Sequence, residues 1–295
     1  FLKISFARPH SPYDPPQRIL EMYENIEIPA PAEGEWSKHI GKDITDPQAD
    51  SSAAFAQFST EYVKNTRKHY YAAVTFIDEQ VGRIVEALKE KGMYDNTIIC
   101  FTSDHGDMMG DHHSWRKTYA YEGSAAIPMI IKTPKDVEGV HCRGKVIENP
   151  VELRDILPTF LDAAGVETPE AMDGRSMLKL IKEENPQWRR WIDMEHATCY
   201  SEENYWCALT DGKIKYIWFL RTGEEQLFDL VKDPHETVNQ ITNRKYRKQT
   251  DELRRAMAEH LSERGDKWVK DGQLQKREKT LLYSPNYPSG LPTKK

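Results

Sequence analysis

The stretch TIICFTSDHGDMMGDHHSWRKTYAYEGSAAIPMIIKT, residues 97–133, decides how the rest of the chain is read. It opens with a short β-branched, apolar run, Thr97 to Phe101, that predicts a buried strand. It closes with a second such run, Met129 to Ile131, after a proline. Between them stand Asp104, His105, Asp107, Asp111, His112, His113, Arg116, Lys117 and Glu122. Acids and imidazoles directly after a buried strand are what an α/β sheet carries beyond the carboxyl ends of its strands. Gly106 follows the Asp-His pair and is expected to relieve the backbone in a sharp turn.

Upstream, Val63, Tyr70, Val74, Ile77, Val81, Ile84 and Leu88 recur at helical spacing and predict one long helix over about residues 53–91. Gly92 caps it, and Tyr94-Asp95-Asn96 turns the chain into the strand. The Pro-, Gly- and acid-rich stretch 28–49 reads as a long irregular loop, of the kind that walls a pocket. Phe1 to Phe6 alternates as a strand does and begins without Met or a signal sequence, so the chain is expected to be the later part of a longer protein. Four prolines between Arg8 and Pro16 exclude helix and central strand and make a stiff loop. That loop would fix His10 at a sheet edge; the competing reading of His10 is an ordinary surface histidine.

Downstream, residues 142–147 read as a short strand, and 151–164 as a helix kinked at Pro158 and ended by Gly165. A brief helix follows over 177–182, and composition shifts around 184–188. Four short strands are predicted at 191–197, 205–210, 214–219 and 226–230, the middle two joined by the tight-hairpin pair Asp211-Gly212. A charged helix over 246–263 would pack on this sheet through Leu253, Met257 and Leu261, before a polar, Pro-rich tail. The expected architecture is therefore α/β over residues 1–185, with a smaller antiparallel sheet, helix and irregular tail over 186–295.

Composition narrows the function classes. A net charge of -6 and a pI near 6.0 argue against nucleic-acid or anionic-membrane partners. No apolar run approaches the roughly 18 residues of a membrane span. The four cysteines lack metal-knuckle and redox spacing; Cys199 and Cys207 either pair across a hairpin or stay as reduced thiols. In the central stretch, Asp104 and His105 are of ligand type, with oxygen-rich sets favouring Ca²⁺, Mg²⁺ or Mn²⁺ and nitrogen-rich sets Zn²⁺. Lys117, amid Trp115, Tyr119 and Tyr121, is suited to an anionic tetrahedral substrate, with His112 and His113 as further donors. Charge density alone leaves a site and a set of loop charges as open alternatives.

Residues 103–134, SDHGDMMGDHHSWRKTYAYEGSAAIPMIIKTP, resemble the C-terminal signature of the sulfatase branch of the alkaline phosphatase superfamily. Phe6-Ala7-Arg8-Pro9-His10-Ser11-Pro12-Tyr13 resembles that family's Pro-His-x-Pro segment. Leu227-Phe228-Asp229-Leu230, with Asp233-Pro234, Glu236 and Asn239, resembles its Leu-Tyr-Asp-Leu-x-x-Asp-Pro-x-Glu-x-x-Asn signature. The resemblance implies an alkaline-phosphatase-like mixed sheet flanked by helices and hydrolysis of sulfate esters, on a sulfated small molecule or glycan. It implies Asp104 and His105 as Ca²⁺ ligands, with Mg²⁺ or Mn²⁺ less favoured. It implies Lys117 on a sulfate oxygen and the ester oxygen, His10 at the leaving group, and His112 lining the pocket. The motif at Asp229 to Asn239 is implied to be structural.

The chain also departs from the family pattern. No cysteine stands in the Cys/Ser-x-Pro-x-Arg motif that yields the formylglycine nucleophile, and no Asp-Asp pair precedes His10. Both are expected upstream of Phe1, in an N-terminal portion that would complete the site, and the resemblance implies a periplasmic or secreted location. Two further readings stand beside the sulfatase: a phosphonate monoester or phosphodiester hydrolase of the same superfamily, and a non-catalytic homologue or fragment.

Overall fold

The computed structural model describes residues 1–48, 50, 53–184, 186–197 and 199–277; the expected irregular tail beyond 277 lies outside them. The chain parts into two compact units. One holds residues 1–33, 37–116 and 127–140, the other 34–36, 117–126 and 141 onward. Residues 141–184 thus share a unit with the strands after residue 185. Residues before it belong with the later strands through, for example, buried Asp155, whose carboxylate accepts both terminal nitrogens of Arg189 at 2.5 and 2.6 Å.

In the first unit a short helix, α1 (Gln17–Leu20), lies against α2 (Thr60–Glu90). α2 starts later than its periodicity predicts because Ser59 caps it, the hydroxyl accepting the Tyr62 N–H at 3.3 Å. The residues before Ser59 are spent in extended pairing with the loop after the first strand: Ala56 N–H donates to His113 C=O and Trp115 N–H to Ala54 C=O. The buried stripe of α2 runs through Val63, Arg67, Ala72, Ala73 and Ile77, while Val74 is 42% exposed.

Strand β1 (Ile99–Thr102) pairs antiparallel with β2 (Met129–Lys132), Cys100 facing Ile131 and Thr102 facing Met129. β1 is half-buried rather than buried, since β2 is its one ladder partner among the described residues. Residues 1–6 form no strand, and Leu2 is 80% exposed. Alternation of side chains makes no strand until the backbone groups find a ladder.

The second unit contains α3 (Glu122–Ala125), α4 (Ile156–Ala163), α5 (Leu178–Lys182) and a four-stranded sheet. Its strands β3 (Ile192–His196), β4 (Trp206–Thr210), β5 (Ile214–Phe219) and β6 (Glu225–Asp229) form an antiparallel meander in that order. The Asp211-Gly212 turn forms as expected, with Gly212 in the left-handed region at φ 81°. α6 (Arg247–Ser262) covers one face, where Leu253, Met257 and Leu261 meet Leu209, Tyr216 and Leu227. A small hairpin, β7 (Val269–Lys270) and β8 (Gln273–Leu274), completes the unit.

The opposite face of the sheet is covered too. Every residue of β4 is buried, and Lys215, Gln226 and Phe228, which alternate with the α6-facing set, are buried as well. Segment 117–126 and Trp36 lie there: the Tyr121 ring is 6.1 Å from Phe228, Trp36 is 5.7 Å from Phe228, and Tyr121 Oη donates to Gln226 Oε1.

The Asp229 to Asn239 motif closes the far edge of this sheet. Asp229 accepts Lys232 Nζ and Tyr246 Oη, Asp233 accepts the Thr237 hydroxyl and the Val238 N–H, and Asn239 Oδ1 accepts the Leu227 and Ile241 N–H groups. Burial works against the Asp229 carboxylate, but the bonds from Lys232 and Tyr246 outweigh it and hold its pKa down to about 2.

Two local expectations are corrected. Residues 142–147 form no strand: a turn at 143–144 is followed by irregular chain. Pro158 sits in the first turn of α4 and does not kink it, because an N–H is dispensable there. The cysteines are free thiols. No described helix is long and apolar enough to cross a membrane. Gly174 packs on the backbone at the start of α4, where an added Cβ would overlap the Arg154 carbonyl oxygen. Gly174→Ala is accordingly expected to destabilise the protein by about 1–3 kcal/mol, as overpacking does. A denaturant midpoint equal to that of the parent would show that the α4 start yields at no cost.

Candidate active site

The proline-rich loop is closed by a bidentate pair, Arg8 Nε to Asp14 Oδ1 at 2.5 Å and Arg8 Nη2 to Asp14 Oδ2 at 3.0 Å. Inside it, the His10 N–H donates to Ala7 C=O, and ring Nδ1 lies 2.9 Å from Ser11 C=O, so Nδ1 carries a proton. The His10 ring stands 6.2 Å from the His105 ring, edge to face. Tyr13 ties the same loop to the first strand's exit, its Oη donating to Asp107 Oδ2 at 2.9 Å. Burial, followed by the Asp107 charge, pushes the Tyr13 phenol well above its usual pKa, so it stays a donor.

Asp104 and His105 follow β1 directly. His105 Nδ1 lies 2.7 Å from Gly106 C=O, and its Nε2 lies 3.8 Å from Asp104 Oδ2. The turn expected at Gly106 is made by Gly110, at φ 92°. The loop beyond is framed by two carboxylates. Asp107 Oδ1 accepts the Met109 and Arg116 N–H groups; Asp111 Oδ1 accepts the Ala32 N–H and buried Arg67 Nη1 at 3.0 Å. His112 is 1% exposed, with its N–H on Ala32 C=O, so a substrate would reach its ring only after this packing opened.

Backbone strain concentrates here. Met109, His112, His113, Arg116 and Thr118 all have positive φ, five of the eight non-glycine residues of that kind among the described residues. Each such residue costs on the order of 1–3 kcal/mol and persists where surrounding bonds over-determine it. Thr118, at φ 86°, is β-branched and the most unfavourable of them.

Lys117 stands between left-handed Arg116 and Thr118 and opens the segment that covers the small sheet. That segment is fixed by bonds within its own unit. Asn204 and Trp206 hold Thr118; Lys215 Nζ donates to Ala120 C=O at 2.7 Å; and Glu236 accepts the Glu122 N–H. Lys215 is fully buried and pairs with Glu236 at 2.7 Å and Glu122 at 2.6 Å.

Beside the His10 loop the first unit has a cavity of about 540 Å³. Its walls are largely aromatic, with Tyr13, Phe58, Tyr62 and Trp115, and its polar groups include Asn65, His69 and Arg116. Phe58 and Tyr62 pack at 5.3 and 6.3 Å from Trp115, which shapes the aromatic wall.

The family model for sulfatases matches residues 1–166, more than half of the 295. The chain belongs to the sulfatase family. A second model, for the C-terminal part of N-sulphoglucosamine sulphohydrolase, matches residues 110–263. An arylsulfatase of Clostridium perfringens is 40% identical over 277 residues, covering 94% of this chain and 56% of its own. A choline-sulfatase of Rhizobium meliloti is 33% identical over 252 residues, 82% of this chain and 46% of its own. The solved phosphonate monoester hydrolase of Silicibacter pomeroyi superposes with a TM-score of 0.70 at 28% identity, over 88% of this chain and 55% of its own. The alkaline-phosphatase-like α/β class expected from the sequence is thereby confirmed. The chain spans about half the length of the curated relatives it matches.

In this sulfatase-family chain, Asp104 and His105 fit part of a divalent-cation shell. One supplies an exposed carboxylate, the other an imidazole whose ring is oriented by a bond to Gly106. Among the described residues no three His, Cys, Asp or Glu side chains gather closely enough to hold a metal. Sequence reasoning singled out His10, Asp104 and His105 but not Tyr13, Arg67, Asn204, Trp206 or Lys215. Their partners lie 42 to 95 residues away along the chain, so no local spacing betrays them.

Proposed function

We propose that the complete protein hydrolyses sulfate esters, on a sulfated small molecule or glycan. In this reading Asp104 and His105 are metal ligands, Lys117 contacts the sulfate group and His10 protonates the departing oxygen. The observation that supports it best is the approach of His10 to His105, which sets a proton-bearing imidazole beside the Asp-His pair at the exit of β1. The bond from Nδ1 to Ser11 C=O orients the His10 ring and leaves Nε2 as the nitrogen that exchanges the proton. The Lys117 ammonium offsets negative charge on the sulfate and on the ester oxygen as its bond to sulfur lengthens. His112 supports the wall from behind rather than touching the substrate.

Calcium, when bound, supplies positive charge to the sulfate oxygens, and formylglycine, expected in sequence outside this chain, supplies the nucleophile. The aromatic cavity would seat the alcohol portion of the ester, since ring faces and a guanidinium suit a sugar that bears further acidic groups.

The likeness to a phosphonate monoester hydrolase supports a second reading, in which the same groups act on a phosphorus ester. Parallel assays decide between them. The complete protein is expected to release sulfate from aryl or sugar sulfates, with activity lost on chelation and restored by Ca²⁺. A faster turnover of phosphonate monoesters would replace the first reading with the second, and no turnover of either class would remove both.

A further inference from the structure

The residue after Lys117 is held in a conformation that threonine avoids. Thr118 sits at φ 86°, where its Cβ is crowded by its own backbone. Two buried side chains of the small sheet hold it there. Asn204 Nδ2 donates to Thr118 Oγ1 at 2.9 Å and to Thr118 C=O at 3.2 Å. Trp206 Nε1 donates to the same carbonyl at 3.0 Å and to Asn204 Oδ1 at 3.1 Å. Asn204 also reaches Cys199 C=O at 3.3 Å, which fixes the amide against rotation. Both side chains are almost fully buried, so neither trades these bonds for water.

We infer that Asn204 and Trp206 are positioning residues for Lys117: their clamp on Thr118 sets the direction in which the lysine leaves the sheet. The inference rests on the catalytic role proposed for Lys117. It gives the C-terminal sheet a function in the reaction as well as in folding. Neither residue touches the sulfate, and both act through one backbone carbonyl. A clamp of this kind matters only while there is a lysine to aim.

That dependence supplies the test. In the complete protein, kcat/KM for an aryl sulfate is measured for Asn204→Ala, Lys117→Ala and the double variant, with thermal unfolding to confirm that each is folded. Asn204→Ala alone is expected to lose on the order of 10- to 100-fold, the effect of a misplacement of about 1 Å. In the Lys117→Ala background it should lose nothing further. The same loss in both backgrounds would make the clamp merely structural and overturn the inference, as would a folded Asn204→Ala variant with the parent's rate. If Lys117→Ala alone keeps the parent's rate, the role of Lys117 fails first, and the separate arm shows it. Should Asn204→Ala not fold, Trp206→Phe, which keeps the ring and deletes only the N–H, takes its place in the same cycle.

Discussion

Lys117→Ala in the complete protein is expected to lower kcat/KM for a sulfate ester by on the order of 10²- to 10³-fold, the range seen when one preorganised electrostatic donor is removed from a reacting centre. The loss should fall mainly on kcat. A sulfate ester carries its charge on the terminal oxygens in the ground state, and charge grows on the bridging oxygen only as the bond to sulfur breaks. A lysine that touches the bridging oxygen therefore binds the transition state better than the substrate. Lys117→Arg is expected to recover little, because a broad planar guanidinium cannot occupy the place of a compact ammonium between two left-handed residues. Steady-state kinetics on a substrate with a good leaving group adds a second check. There, loss of His10 should matter less than loss of Lys117, because the departing oxygen no longer needs a proton. An unchanged kcat in Lys117→Ala would detach this residue from the reaction.

How much of this arrangement the chain discloses depends on how local each cause is. The four strands of the small sheet and α6 follow from alternation, an Asp-Gly turn and a helical stripe, all written within a few residues of where they act. Asp104, His105 and His10 are legible because ligand-type residues stand directly after strands or in a loop that prolines stiffen. The start of α2 is misjudged because residues 53–56 have a tertiary partner, the 113–115 backbone, that outcompetes helical propensity. Lys215 is the sharpest case. On β5 it alternates with Ile214 and Tyr216 and so reads as a solvent-facing lysine, yet it is fully buried. Segment 117–126, some 95 residues earlier in the chain, returns to cover that face together with Trp36. The same reason hides Asn204 and Trp206, and with them the means by which Lys117 is held.

Lys215→Met is expected to destabilise the protein by about 3–5 kcal/mol, as does removing one partner from a buried ion pair. The cost arises on what remains. Glu236 is almost fully buried, and although its Oε2 still accepts the Glu122 N–H, its Oε1 would face a thioether; the Ala120 carbonyl would also lose its donor. Burial already raises the Glu236 carboxyl above its ordinary pKa with Lys215 beside it, and the lysine is the largest influence opposing that rise. Without the lysine the folded-state pKa should rise further, so the folded variant would bind a proton more readily than the unfolded chain. Its stability is then expected to improve as pH falls from neutrality through that raised pKa, levelling off near the unfolded carboxyl's value of about 4.3. Glu236→Gln in the Lys215→Met background should recover part of the loss at pH 7 and flatten the pH dependence, since the Glu122 carboxylate that remains is partly exposed and no fully buried charge is left to strand. Denaturant unfolding of the parent, both single variants and the double variant at pH 5 and 7 measures all of this. A Lys215→Met penalty that is small and independent of pH would mean that segment 117–126 stays on the sheet through Tyr121 and the Thr118 clamp alone. The buried pair would then be dispensable for holding Lys117 in place.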